Sequence, residues 1–164
     1  MAALSAVFYR IDNTLTAWMA RNGVHLLRLS LGVIFLWFGV LKFFPGLSPA
    51  KSLAGDTIAS LSFGLLSPKT AVLILAVWES LIGVGLLTGF FLRGTLFLLW
   101  LQMVGTMTPL FLFPEICFTS FPLVPTLEGQ YIIKNLVLIC AGIVIGATVK
   151  GGRLTAGKPT DIAA

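Results

Sequence analysis

This sequence is short of charge. Acidic and basic side chains together make up 10% of its 164 residues while 57% are hydrophobic, against about a quarter charged in an ordinary soluble domain. A chain so poor in polar surface cannot fold in water and points to an integral membrane protein. Cysteine and histidine are scarcer still: Cys117, Cys140 and His25 are the full set. One histidine makes no metal pair, so no metal site is expected, and two distant cysteines form no Cys-x-x-Cys redox motif. Cys117 falls in a loop while Cys140 lies about 15 Å into the last span by helix rise from Gln130, too far apart to pair. There is also no Gly-rich phosphate loop and no haem-type ligand pair.

Apolar runs, by contrast, are plentiful. Four stretches approach the roughly 20 residues that cross a bilayer: Val24 to Phe44, Ala71 to Gly89, Thr95 to Phe113 and Tyr131 to Val149. They predict an all-α fold over residues 1–164, a single membrane domain built as a four-helix bundle. The first run is too long for a cleaved signal and lacks a small-residue cleavage site, so it is expected to stay. Before it, Leu4, Phe8, Ile11, Leu15 and Trp18 recur at spacings of four and three. They predict an amphipathic helix over residues 1–22 lying in the interface, with Asn22-Gly23 turning the chain into the bilayer. Between the first two spans Ser48-Pro49 reads as a helix start, and Leu53, Ala54, Ile58 and Leu61 as the apolar side of a short helix on the outer surface.

The net charge of +5 does not indicate nucleic acid, because the basic residues are scattered at span ends without interleaved aromatics. They report orientation instead. Arg10, Arg21, Arg93, Lys150, Arg153 and Lys158 fall on one side and the connection from Pro114 to Gly129 has no Lys or Arg. Both termini and the tail 150–164 are therefore expected in the cytoplasm. Lys51 and Lys69 run against the rule.

The acid that stands out is Glu79, about 13 Å into a hydrocarbon slab of about 30 Å when counted from Thr70. A carboxyl at that depth usually faces protein and pairs with something. Ala76, Ser80 and Gly83 share its helix face; Arg28, Gly32, Phe35, Gly39 and Lys42 form one face of the first span, so both seams are expected inside the bundle. Gln102 lies at the same depth from the opposite direction, with Gly105, Thr106 and Pro109 on its face, and Pro109 is expected to kink that helix. Gln130, Lys134 and Asn135 open the last span, whose Gly142 and Gly146 predict close packing within the bundle. Lys42, Glu79, Gln102, Thr106, Gln130, Lys134 and Asn135 thus form the candidate site in a polar outer half, with Lys134 or Lys42 as counter-ion to Glu79. Glu79 is its candidate proton acceptor. Two readings stand: a network that locks the helices in register, where interhelical bonds average about 0.6 kcal/mol each, or the lining of an outward-facing pocket, favoured because about seven polar groups exceed what a register lock requires. Arg28 is expected to snorkel and His25 to be interfacial.

The segments Phe35 to Pro49, Trp78-Glu79 with Ile82-Gly83, Gln102-Met103 with Gly105-Thr106, and Leu127 to Asn135 resemble the YkgB or RclC-like family, within the wider DoxX-like group of four-helix membrane proteins. The resemblance covers nearly the whole chain, and the family's recurring positions coincide with the seven site residues. It implies a bacterial inner-membrane protein tied to resistance to reactive chlorine and other oxidants. Distant relatives include a small subunit of a thiosulfate:quinone oxidoreductase, so a quinone or small electrophile is the candidate guest. The alternatives are a non-catalytic anchor for a redox partner protein and a small-solute transporter, which with four spans and no evident repeat requires a homo-oligomer. No enzymatic activity is assigned.

Overall fold

A computed structural model describes residues 2–44, 46–47 and 51–156. Helix α1 (Ala2–Leu41) is followed by α2 (Lys51–Leu61), α3 (Pro68–Thr88), α4 (Leu92–Met107), α5 (Pro109–Leu112) and α6 (Pro114–Cys117). A small hairpin, β1 (Phe118–Ser120) with β2 (Val124–Pro125), leads into α7 (Leu127–Ile133) and α8 (Asn135–Thr148). Among the described residues four spans are long and apolar enough to cross a membrane: within Val7–Leu41, Pro68–Thr88, Leu92–Leu112 and Leu127–Thr148. This is the expected all-α membrane bundle, with boundaries that differ in instructive ways.

The chain does not turn at Asn22-Gly23. Helix α1 runs unbroken for 40 residues, about 60 Å at the usual rise, and Asn22 Nδ2 donates to Trp18 O inside it at 2.9 Å. Glycine without proline lowers helix stability only modestly and does not stop a helix. The expected interfacial helix is therefore the first part of α1. There Phe8, Ile11, Leu15 and Trp18 are exposed; Leu4 is among the residues whose side chains are not described.

The seam between α1 and α3 is set by glycines. A Cβ on Gly32 would meet Leu87, one on Gly83 would meet the Leu36 backbone, and one on Gly39 would meet Ser80 and Glu79. All three contacts lie in one antiparallel register. Lipid tails are as apolar as leucine, so helices in a bilayer associate through close backbone approach and small residues go to the interface. Continued outward, this register places Lys42 opposite Val77, nine residues inside the start of α3, or about 13 Å. Helix α1 thus ends near the middle of α3, unwinding through i→i−3 bonds at Lys42, Phe43 and Phe44.

Helix α2 occupies the space left beyond that end, with Gly55 packed on Pro68 and Val72 of α3. Its buried residues are Gly55 and Thr57, which point to different sides of the helix, while on the expected apolar side Leu53, Ala54 and Ile58 are half-buried and Leu61 is 46% exposed. The reason is again that small residues face protein in a bilayer and large apolar ones face lipid. The Ser48-Pro49 helix start lies outside the described residues.

Ser67 caps α3 by accepting from Thr70 N, and Gly89 ends it at φ 73°. Pro109 interrupts the third span as expected: α4 stops at Met107, and the Gly105 carbonyl that proline cannot engage accepts from Thr108 Oγ1 at 2.6 Å. Gly142 packs on Trp100 and Leu99 and Gly146 on Leu96, tying α8 to α4. Leu31, Phe35, Ile82, Leu86, Leu99 and Ile145 form the apolar core between these helices.

Candidate functional site

Four spans running alternately up and down bring the chain before α1's core segment and the chain after α8 to the same end of the bundle. At the opposite side of the apolar core lies a compact polar network. Lys42 Nζ donates to Glu79 Oε2 at 2.6 Å, and Gln102 Nε2 donates to Glu79 Oε1 at 2.8 Å. Lys42 Nζ also lies 3.4 Å from Phe38 O, one of the carbonyls released where α1 ends. Three helices therefore meet on one carboxylate. Lys42 and Glu79 form the one ion pair found among the described residues, with side chains 9% and 11% exposed. Burial this deep makes each charge depend on the other.

Each partner is positioned by local sequence. Glu79 is central in α3 on the side that carries Ala76, which is fully buried, and Gly83. Gln102 sits one turn after Leu98, whose carbonyl accepts from Trp78 Nε1 at 3.1 Å and fixes α4 against α3. Gln102 accepts a further constraint through its backbone, since Thr106 Oγ1 donates to Gln102 O at 2.9 Å. One atom in the network has no partner: Gln102 Oε1 is buried and receives no hydrogen bond. Of the three protons on Lys42 Nζ, two have acceptors. Gln102 Nε2 likewise uses one of its two protons, on Glu79, so the network holds Gln102 Oε1 as an acceptor and one proton each on Lys42 and Gln102 in reserve.

Of the other sequence candidates, Thr106 touches this centre through the Gln102 backbone, and Gln130, Lys134 and Asn135 make no hydrogen bond to it. Thr106 is a turn outward and half-buried. Asn135 opens α8, also half-buried, while Gln130 and Lys134 are exposed. Lys134 Nζ lies 5.4 Å from the centre of the Tyr131 ring, a cation–π contact, and does not reach Glu79. The register explains why. Gly142 against Leu99 and Gly146 against Leu96 place Lys134 opposite Thr108, six residues or about 9 Å outward of Gln102 along the axis. Between the two expected counter-ions, Lys42 is the one in contact.

Both cysteines are free. Cys117 is fully buried in the cap that α6, the hairpin and α7 form at the end of the bundle away from the termini, with its Sγ 3.5 Å from Pro109 O. Burial, and then the nearby carboxylates of Glu115 and Glu128, push its thiol above the ordinary cysteine range. Cys140 is exposed on α8. No group of three or more His, Cys, Asp or Glu that could hold a metal is found among the described residues. Sequence reasoning missed the cap itself. In it Thr126 accepts from Gly129 N, donates through its hydroxyl to Ile116 O at 2.7 Å, and donates through its backbone to Cys117 O. The signal available was Thr126 three residues ahead of Gly129, a capping position before an apolar run.

The DoxX family model matches residues 23–114, more than half of the chain. The chain belongs to the DoxX family. Comparison with curated proteins and with solved structures finds no significant match. The DoxX match contains Lys42, Glu79, Gln102 and Thr106 and stops before Gln130, Lys134 and Asn135. The Lys42–Glu79–Gln102 network therefore lies wholly inside the DoxX segment. This DoxX protein is a multi-pass membrane protein in contact with the lipid bilayer.

Proposed function

We propose that this DoxX protein is a bacterial inner-membrane protein of the oxidative and reactive chlorine stress response, of the YkgB or RclC-like branch, with both termini in the cytoplasm. Its Lys42–Glu79–Gln102 centre takes a small lipid-soluble guest, a quinone or small electrophile. The observation that carries this reading is Gln102 Oε1, a buried acceptor without a donor. Leaving such a group unpaired costs about 1–3 kcal/mol, a cost that a guest carrying a hydroxyl would remove. A guest with both carbonyl and hydroxyl character, such as a quinone and its reduced form, complements the spare proton on Lys42 and the spare lone pairs on Gln102. Glu79, held between them, is the group placed to accept a proton from it.

The test uses Glu79→Gln and Gln102→Leu in cells challenged with hypochlorite, together with mass spectra of gently purified protein. Normally expressed variants should lose protection and the retained guest together. Full protection by both, with no lipid-soluble molecule retained by the parent protein, would sink the reading.

A second reading is supported by a different feature. Val7, Phe8, Tyr9, Ile11, Leu15 and Trp18 are exposed on the part of α1 that extends beyond the bundle, a surface suited to anchoring a redox partner. That reading expects co-purification of a partner dependent on this segment, with the Gln102 variant fully functional.

A further inference from the structure

At the end of the bundle that carries both termini, the basic residues do not simply scatter around the rim. Arg21, His25 and Arg28 of α1 and Arg153 of the segment after α8 line one concavity of about 470 Å³, closed by Leu92 and Thr148. A second concavity of similar volume shares Leu92 and Thr148 and adds Arg93. Cations from three separate parts of the chain thus line adjoining hollows. None has a carboxylate partner among the described residues, where the one ion pair is Lys42–Glu79. The nearest acid in sequence on α1 is Asp12, nine residues from Arg21, or about 13 Å along the helix.

Arg28 turns toward the end of α3. It is half-buried, its Nη2 lies 3.5 Å from His25 Nδ1, and any side chain on Gly89 would strike its guanidinium. Its guanidinium rests in the space that the missing side chain at Gly89, the end of α3, leaves open beside α1. A guanidinium presents its donors as a planar fork, the geometry that matches phosphate oxygens. Val24 and Leu154 complete the walls with apolar surface, at the level where α3 ends and α4 begins.

We propose that this concavity binds the phosphate of an anionic phospholipid headgroup, one per chain, with its acyl chains running down the apolar wall. Converging unpaired cations select a phosphate-bearing anion. The apolar walls and the position at the end of the spans select a lipid over a soluble phosphate. The site is separate from the Lys42–Glu79–Gln102 centre, from which it is divided by the apolar core.

The full-length protein in phosphatidylcholine nanodiscs, titrated with phosphatidylglycerol and read by native mass spectrometry, tests this. One phosphatidylglycerol should be retained per chain. Arg28→Gln and Arg21→Gln should each weaken retention about fivefold, the effect of roughly one surface charge, whereas Lys150→Gln, a cation at the same end that does not line the hollow, should leave it unchanged. Arg21 is exposed on α1, so its variant keeps the fold. Equal weakening by Lys150→Gln would mean diffuse surface attraction and would overturn the site. Displacement of the lipid by equimolar inorganic phosphate would overturn the lipid assignment.

Discussion

Glu79 is a single residue whose energetics are set by two others. With its carboxylate shared between Lys42 and Gln102, removal of one charged partner leaves the other buried and uncompensated, at a cost of about 3–5 kcal/mol. Replacing both with apolar side chains removes both desolvation penalties. Lys42→Met should therefore lower unfolding stability in denaturing detergent by about 3 kcal/mol, and Lys42→Met with Glu79→Leu should recover most of that loss. Additive losses in the double variant would show that the pair is not coupled. Glu79's depth and the small residues around it were legible in the sequence, because helix rise and helix face are local properties. The choice of Lys42 over Lys134 was not, because it depends on how α1, α4 and α8 are offset against one another. The unpartnered Gln102 Oε1 was equally hidden, since it is a property of three helices meeting.

Between α1 and α3 the unit of stability is the glycine seam. Gly83 has the Leu36 backbone directly over it, whereas Gly105 has nothing within 4 Å of a built Cβ, although both share a helix face with a residue of the site. Gly83→Leu should destabilise the bundle by about 1–3 kcal/mol through overpacking. Gly105→Ala should be neutral or slightly stabilising, because it restricts the unfolded chain without meeting a neighbour. Thermal unfolding of the two variants in one detergent checks this, and equal effects would contradict the seam. The glycine pattern on α1 was visible from its spacing. The unequal surroundings of Gly83 and Gly105 were not, since a repeat names a face and does not say what lies opposite. The same limit explains α2, where apolar periodicity marked one side and the protein buries Gly55 and Thr57.

At the scale of the whole molecule, an even number of spans puts the α1 N-terminal part and the tail on one side and the hairpin on the other. Asn13→Cys and Thr155→Cys should both react with a membrane-impermeant maleimide from one side, the cytoplasmic one in the orientation proposed above, and Phe121→Cys from the other. Cys117 should stay silent near neutral pH: its raised pKa keeps the thiol protonated there, and thiolate appears only as pH rises past that value. Labelling of Thr155→Cys and Phe121→Cys from the same side would overturn the four-span topology. The sequence by itself determined the membrane class, the four spans, the break at Pro109 and the place of Glu79 midway along its span, because hydrophobic length, period and proline chemistry act within one segment. Only the tertiary structure decided that α1 stops halfway along α3, that Lys42 is the cation on Glu79, and that Arg21, Arg28 and Arg153 line one hollow. Those are matters of register between helices, and in a bilayer that register is set by which small residues let two backbones touch.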